Sequence, residues 1–257
     1  MKITGVHDKA TAFDGAAALY ERARPGYPAD AVRRLVAALD LGPGRRVADV
    51  AAGTGKLTRD LVGSGAQVIA VEPVAGMRTT LAGGVTSVPG GPALGVVGAV
   101  AQALPLGDRC LDAVTVAQGF HWFATAQTLS EFRRVLVGDG RLALVWNRRD
   151  DADPLQAELT AIMAPHQPGT PSYATGEWRR VMDRSALFAA ADEFHVPWRQ
   201  PTDGAGVVDR VASVSFIAAL GEAGRRSALD AVRRAAAEAT VPVSLAYTAD
   251  VYVFAVR

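Results

Sequence analysis

The chain alternates short apolar runs with segments of helical spacing. Residues 46–50, 67–71, 96–100, 111–117 and 141–146 are apolar runs of strand length. Between them, residues 56–62, 74–81 and 126–136 place apolar side chains three and four apart, the last through Leu129, Phe132, Val135 and Leu136. An earlier segment, 30–39, carries Val32, Leu35, Val36 and Leu39 behind a capping Asp30, and Leu41-Gly-Pro-Gly44 ends it. Strands alternating with helices on short links predict a parallel α/β sheet. Residues 82–95 are rich in Gly and Pro and read as a loop, and Gly138-Asp-Gly140 as a turn.

The rhythm changes after Asn147. Residues 150–192 hold helical stretches broken by Pro165, Pro168 and Pro171, the pattern of an inserted lid or substrate lobe. A sixth strand is expected over 194–200, then helices over 207–214 and 222–240. Residues 243–256 are strongly β in character. No helix follows them, so this strand is expected to be antiparallel to its partner at a sheet edge. The expected division is 1–149 for the core with an N-terminal helical lid, 150–192 for the inserted lobe, and 193–257 for completion of the sheet.

The most specific motif lies where the first apolar run ends. Val47-Ala-Asp-Val-Ala-Ala-Gly-Thr-Gly-Lys-Leu-Thr58 turns through Gly53 and Gly55 into a helix, and the next run closes on a lone acid, Glu72. Strand, glycine turn, helix, strand, acid is the layout that brings backbone N–H groups to an adenosine-containing cofactor while the acid takes its ribose. A dinucleotide fold asks for a third glycine, where this chain has Thr58. A phosphate-binding loop asks for a glycine at position 50 and a hydroxyl after Lys56, and the chain has Val50 and Leu57. A cofactor without a pyrophosphate, such as S-adenosylmethionine, fits better.

Composition narrows the partners. Of 257 residues, 49% are hydrophobic and 21% charged, enough for a substantial core. With 27 basic and 26 acidic residues spread along the chain, nothing marks a nucleic-acid or membrane surface. Cys110 is the single cysteine, so no internal disulfide forms, as suits a reducing cytoplasm. The N-terminus has no apolar h-region and no run reaches 18 apolar residues. No His, Cys, Asp or Glu cluster has metal-ligand spacing, and no metal is expected. The partner expected is a small molecule, acting on a monomer or homodimer.

Further motifs complete a resemblance. They are Tyr20-x-x-x-Arg24-Pro25-x-Tyr27-Pro28, Asp49 through Thr58, Val71-Glu72-Pro73, Ala101-Gln-Ala-Leu-Pro105, Gln118-Gly-Phe-His-Trp-Phe123 and Glu131-Phe-Arg-Arg-Val-Leu-Val-Gly-Asp-Gly140. In this order they resemble the class I S-adenosylmethionine-dependent methyltransferases, nearest the small-molecule branch labelled type 11. The resemblance covers essentially the whole chain. It implies a Rossmann-like α/β fold with a seven-stranded, mostly parallel sheet, an antiparallel last strand and a helical lid. It also implies a cofactor site drawn from Tyr20, Arg24, Asp49, Ala51, Gly53, Gly55, Glu72, Pro73, Met77, Ala101, Gln102 and Gln118. Within it, Asp49 would steady the glycine loop or reach the methionyl ammonium. Glu72 would take the ribose hydroxyls, and Ala101 and Gln102 would read the adenine. Ala51 stands where the family has its first glycine, and Gln102 where an acid is commoner.

Phe13, Trp122 and Phe123 are the candidate acceptor-binding residues, and His121 is the candidate catalytic residue. His121 is a general base or a structural wall of the site, with the wall favoured. Two further readings stay open: the cofactor fold recruited as a non-methylating cyclase or scaffold, and a nicotinamide-dependent oxidoreductase.

Overall fold

The computed structural model describes residues 17–84, 94–167 and 171–257. Seven strands form one sheet: β1 (Arg46–Val50), β2 (Gln67–Val71), β3 (Leu94–Val97), β4 (Leu111–Ala117), β5 (Leu136–Arg149), β6 (Phe188–Pro201) and β7 (Ser244–Val256). Their spatial order is β3-β2-β1-β4-β5-β7-β6. The first five run parallel, and β7 is antiparallel to both β5 and β6. The helices are α1 (Ala17–Ala23), α2 (Ala29–Ala38), α3 (Lys56–Val62), α4 (Ala75–Gly84), α5 (Ala126–Val135), α6 (Pro154–Met163), α7 (Glu177–Asp183), α8 (Gly204–Ala212), α9 (Ser215–Ala218) and α10 (Glu222–Glu238).

Why the strands read as unbroken apolar runs is now physical. Successive side chains point to opposite faces, and helices cover both faces, so both parities must be apolar. Ala48, Val114, Leu144 and Phe254 face one layer, closed by Leu129 and Phe132 of α5 and Trp178 and Met182 of α7. Val47, Ala113, Val145 and Val253 face the other, closed by Leu35 of α2, Leu39 just after it, and Leu57 and Leu61 of α3. A third cluster joins α6, α8, α9 and α10 through Leu159, Val207, Ile217 and Val232 to Leu245 and Tyr247 at the start of β7.

The structure departs from the expectation in several places. The C-terminal strand is antiparallel, but it lies between β5 and β6 rather than at an edge. Its residues from Leu245 to Phe254 are all buried, as an interior position requires. The edge belongs to β6, which runs longer than its apolar part because residues 189–193 are held by pairing with β7 while facing solvent. Pro197 and Pro201 sit in it, where a missing N–H is tolerated. β5 runs through the glycine turn expected at 138–140, with a register irregularity against β4. The third strand spans Leu94–Val97 rather than 96–100. Pro28, not Asp30, holds the cap position of α2, and Asp30 lies in its first turn. The helix expected over 207–214 is the pair α8 and α9, and α1 has no counterpart in the pattern of apolar spacing. Of the expected 82–95 loop, 82–84 belong to α4 and 94–95 to β3, and the rest lies outside the described residues, as do Phe13 and Pro168.

Strand order reverses between β1 and β4, which opens a crevice beyond their C-terminal ends. The chain enters it through a turn with positive φ at Ala51 (57°), Gly53 (59°) and Gly55 (85°). Gly55 is doubly constrained: a Cβ there would stand 2.8 Å from Cγ of Leu81. Gly55→Ala is therefore expected to destabilise the fold by about 1–3 kcal/mol, read from urea unfolding midpoints. An unchanged midpoint would show that the turn relaxes without cost.

Candidate active site

One cavity of about 710 Å³ fills the crevice. The glycine turn, the end of β2, the segment 100–102 and the segment after β4 form one end of its wall. Asn147 through Ala152, residues 171–174, Arg210 and residues 214–216 form the other. Tyr20, Arg24, Ala51, Gly53, Glu72, Pro73, Met77, Ala101, Gln102, Gln118, His121, Trp122 and Phe123 all line it. Of the other residues singled out in the sequence, Asp49 and Gly55 lie behind the wall, and Phe13 falls outside the described residues.

Glu72 is 5% exposed. Its Oε2 accepts from the Gly53 N–H at 2.9 Å and its Oε1 from the Val74 N–H at 2.8 Å. Burial raises its pKa, and these two backbone bonds pull it back. Each oxygen keeps a lone pair for a further donor from the cavity. The acid thus sets the shape of the glycine turn as well as offering an acceptor.

Asp49 is 1% exposed and occupied differently. Its oxygens accept from the Thr58 hydroxyl at 2.6 Å and the Thr115 hydroxyl at 3.0 Å. The trio ties β1, β4 and α3 together beneath the turn. Burial pushes Asp49 up to about 6, against the two hydroxyl bonds. Thr58, at the place of a third glycine, is thus a buried structural partner.

The segment 118–123 carries the next wall. Gln118 has φ 60°, the conformation that turns the chain off β4. Phe120 then buries completely against Phe123 and Phe132, which leaves His121, Trp122 and Phe123 on the cavity. His121 Nδ1 accepts from the Trp146 indole N–H at 3.4 Å. In the neutral ring the proton then sits on Nε2, and no free lone pair remains. Burial first, and the Arg24 guanidinium second, push its pKa down to about 4.

The N-terminal helix reaches the site through ion pairs. Glu21 binds Arg59 at 2.7 Å, and Lys56 donates to the Glu21 carbonyl at 2.8 Å. That holds α1 over α3 and delivers Tyr20 and Arg24 to the wall. Arg24 lies over the Tyr20 ring and donates to Ser213 Oγ at 3.1 Å and Ser213 O at 3.0 Å.

Sequence reasoning named few residues of the far wall. Trp146 and Tyr173 are both on the cavity, while Trp178 is buried behind them against Trp146. His166 is not on the wall, and His195 lies on β6 with its Nδ1 2.7 Å from Asp250. Asn147, Arg148, Arg149 and Arg210 were not singled out. Among the described residues no group of three or more His, Cys, Asp or Glu could hold a metal ion. No helix there is long and apolar enough to cross a membrane.

With this geometry, similarity to known proteins becomes informative. A family described as a methyltransferase domain matches residues 48–144. The methyltransferase Rv3342 of Mycobacterium tuberculosis, itself uncharacterised, is 36% identical over 230 residues, spanning 88% of this chain and 86% of its own length. A demethylmenaquinone methyltransferase of Mycobacterium bovis is 37% identical over 140 residues, 52% of this chain and 56% of that protein. Among solved structures, a protein described as a type II methyltransferase from Anaeromyxobacter dehalogenans superposes with a TM-score of 0.63 at 22% identity. It covers 91% of this chain and 97% of its own, a likeness of fold.

The His121 environment sets a pH signature. Its folded pKa lies below the ordinary 6.5, so between pH 6.5 and 4 the unfolded chain binds a proton that the folded chain does not. The stability this group contributes is present above pH 6.5 and is lost as pH falls through that window. Asp49 works in the opposite sense, because its raised pKa favours the folded state at low pH. Wild type should therefore lose stability relative to His121→Asn on going from pH 7 to 4.5, by at most about 1.4 kcal/mol per pH unit. Parallel urea curves at both pH values test this, and a difference independent of pH would contradict it.

Proposed function

The chain belongs to the class I S-adenosylmethionine-dependent methyltransferases, and we propose that it methylates a small-molecule acceptor held in the cavity. The observation that carries this reading is one continuous cavity with two chemically distinct ends. One end has an acid, a glycine turn and a buried amide. The other has aromatic rings and arginines. The relative named as a demethylmenaquinone methyltransferase adds support for a small acceptor.

The residues present fit the cofactor. Oε1 of Gln102 is buried without a hydrogen-bond partner beside the cavity. A buried acceptor left so is costly, and the adenine amino group is the donor this reading assigns to it. Glu72 would accept from the ribose hydroxyls, with Met77 packed against the adenine. Tyr20 and Arg24 would face the methionyl carboxylate. When bound, the sulfonium supplies an already activated methyl group. The protein's own task is then alignment of the nucleophile and exclusion of water.

His121 fits a positioning part. With Nδ1 engaged by Trp146 and the ring neutral at pH 7, it presents an N–H to the cavity rather than a base. Trp122, Phe123, Trp146 and Tyr173 supply an apolar wall for the acceptor. Residues 150–152, Thr160, Gln167 and 171–174 also line the cavity, and we read the 150–192 segment as the acceptor-side lid between a 1–149 core and its 193–257 completion. The single cysteine suits work in the cytoplasm.

Three outcomes are expected. S-Adenosylhomocysteine should raise Tm while NAD(H) does not, and Glu72→Ala should weaken S-adenosylhomocysteine at least about tenfold by calorimetry. A shift with NAD(H) alone would overturn the assignment. Once an acceptor is found by incubation with labelled S-adenosylmethionine and mass spectrometry, His121→Asn should keep kcat within about tenfold. A base would lose about 10²–10⁴-fold, and with it a neutral-pH ionisation in the rate profile.

A further inference from the structure

Three arginines reach the cavity from separate elements: Arg24 after α1, Arg149 at the end of β5 and Arg210 in α8. Arg210 is only 8% exposed, and its Nη1 is buried with no hydrogen-bond partner. The contacts that hold the three are neutral. Arg210 Nε donates to the Tyr247 hydroxyl at 3.0 Å, Arg149 Nη1 approaches Met163 Sδ at 3.6 Å, and Arg24 donates to Ser213. Among the described residues none of them forms an ion pair with a carboxylate. The neighbouring Arg148 does, with Asp250 at 2.9 Å.

Two acids share this part of the wall. Asp150 accepts from the Ala152 N–H at 3.1 Å, and Asp151 from the Thr160 hydroxyl at 2.8 Å. Asp151 acts on Arg149 only weakly. Burial and the Arg210 charge outweigh it and lower Arg149 to about 10. Arg24 is lowered to about 10 by the same two causes. A buried guanidinium without a counter-ion is costly, and like charges beside it add to the cost. Such a cluster persists where a ligand completes it.

We propose that Arg149 and Arg210 form an oxyanion subsite, so that the acceptor is a small apolar or aromatic molecule bearing a carboxylate or phosphate. The guanidinium fork matches either group, and the unpartnered Nη1 of Arg210 is its first donor. Arg24 stays with the cofactor, beside Tyr20 and the glycine turn. Trp146, Tyr173 and Phe216 line the same cavity and would cover the apolar body. The inference rests on the methyl-transfer reading only in taking this ligand to be the acceptor.

The test is the thermal stability of the full chain in about 20 mM sodium benzoate, and separately sodium phosphate, against sodium chloride at equal ionic strength. At least one anion should raise Tm by about 3–5 °C, and the arm that responds identifies the group. Arg149→Met and Arg210→Met should lose most of that rise, and Arg210→Lys should keep part of it. Should Arg210→Met not fold, Arg149→Met and Arg210→Lys decide. S-Adenosylhomocysteine affinity in Arg149→Met should stay within about twofold of wild type. No rise with either anion, or an equal rise in wild type and variants, would overturn the subsite. So would a loss of S-adenosylhomocysteine affinity with the anion response intact, which would give the arginines to the cofactor carboxylate. An anion response in a protein that does not bind S-adenosylhomocysteine would support the subsite and remove the methyl-transfer reading instead.

Discussion

The structure depends on how the chain turns at the two strand ends flanking the reversal of sheet order. Beyond β1 and β4 the backbone must leave the sheet in opposite directions, and at both places it does so through a left-handed residue that is not glycine. These are Ala51 and Gln118, at φ 57° and 60°. Such residues cost about 1–3 kcal/mol each and persist only where their surroundings hold them. The surroundings are identifiable. Ala51 Cβ lies so near Gly119 that a Cβ on Gly119 would stand 3.2 Å away. The turn after Ala51 is clamped from outside by the Glu72 carboxylate on the Gly53 N–H. One residue thus couples the end of β2 to the turn after β1, and the ligand-facing acceptor is also a structural tie.

Electrostatics divides the same crevice. Its glycine-turn end carries Glu72, with Asp49 raised toward neutrality behind the wall. Its far end carries Arg149, whose guanidinium is held at a disadvantage by burial and by the Arg210 charge. Between them sits His121, whose low pKa arises partly from Arg24. Burial is the main reason the imidazole stays neutral, and the Arg24 charge, carried by the chain just after α1, adds to it.

The sequence exposed what local physics decides. β1, α3, β2 and β4 were bounded to the residue, because each is a dense apolar or amphipathic run, with α3 stopped by Gly63 and β2 by Glu72. It hid what pairing and tertiary contact decide. Residues 189–193 of β6 face solvent and are strand only because β7 is beside them. The place of β7 inside the sheet was written in its run of buried residues on both faces, a signal that points away from an edge. The near wall of the site was legible because its residues are neighbours in a few short motifs. The far wall is assembled from α6, α8, β5 and the 171–174 segment, which no local pattern connects.

Arg210 did leave a trace in the sequence. It lies three residues after Val207 and beside Val211, so it falls within the apolar stripe of its helix rather than opposite it. A charge within such a stripe is either a packing fault or a group with a partner elsewhere. Tyr247 accounts for one nitrogen of the guanidinium and leaves another without an acceptor. Arg149 follows the same logic along a strand: two and four residues after Asn147 and Val145, it continues the face that is buried up to Val145. Two arginines placed on faces that should be apolar, on elements far apart in sequence, converge on one cavity. That convergence is difficult to explain by surface solvation and is the arrangement that recognition of a buried anion requires.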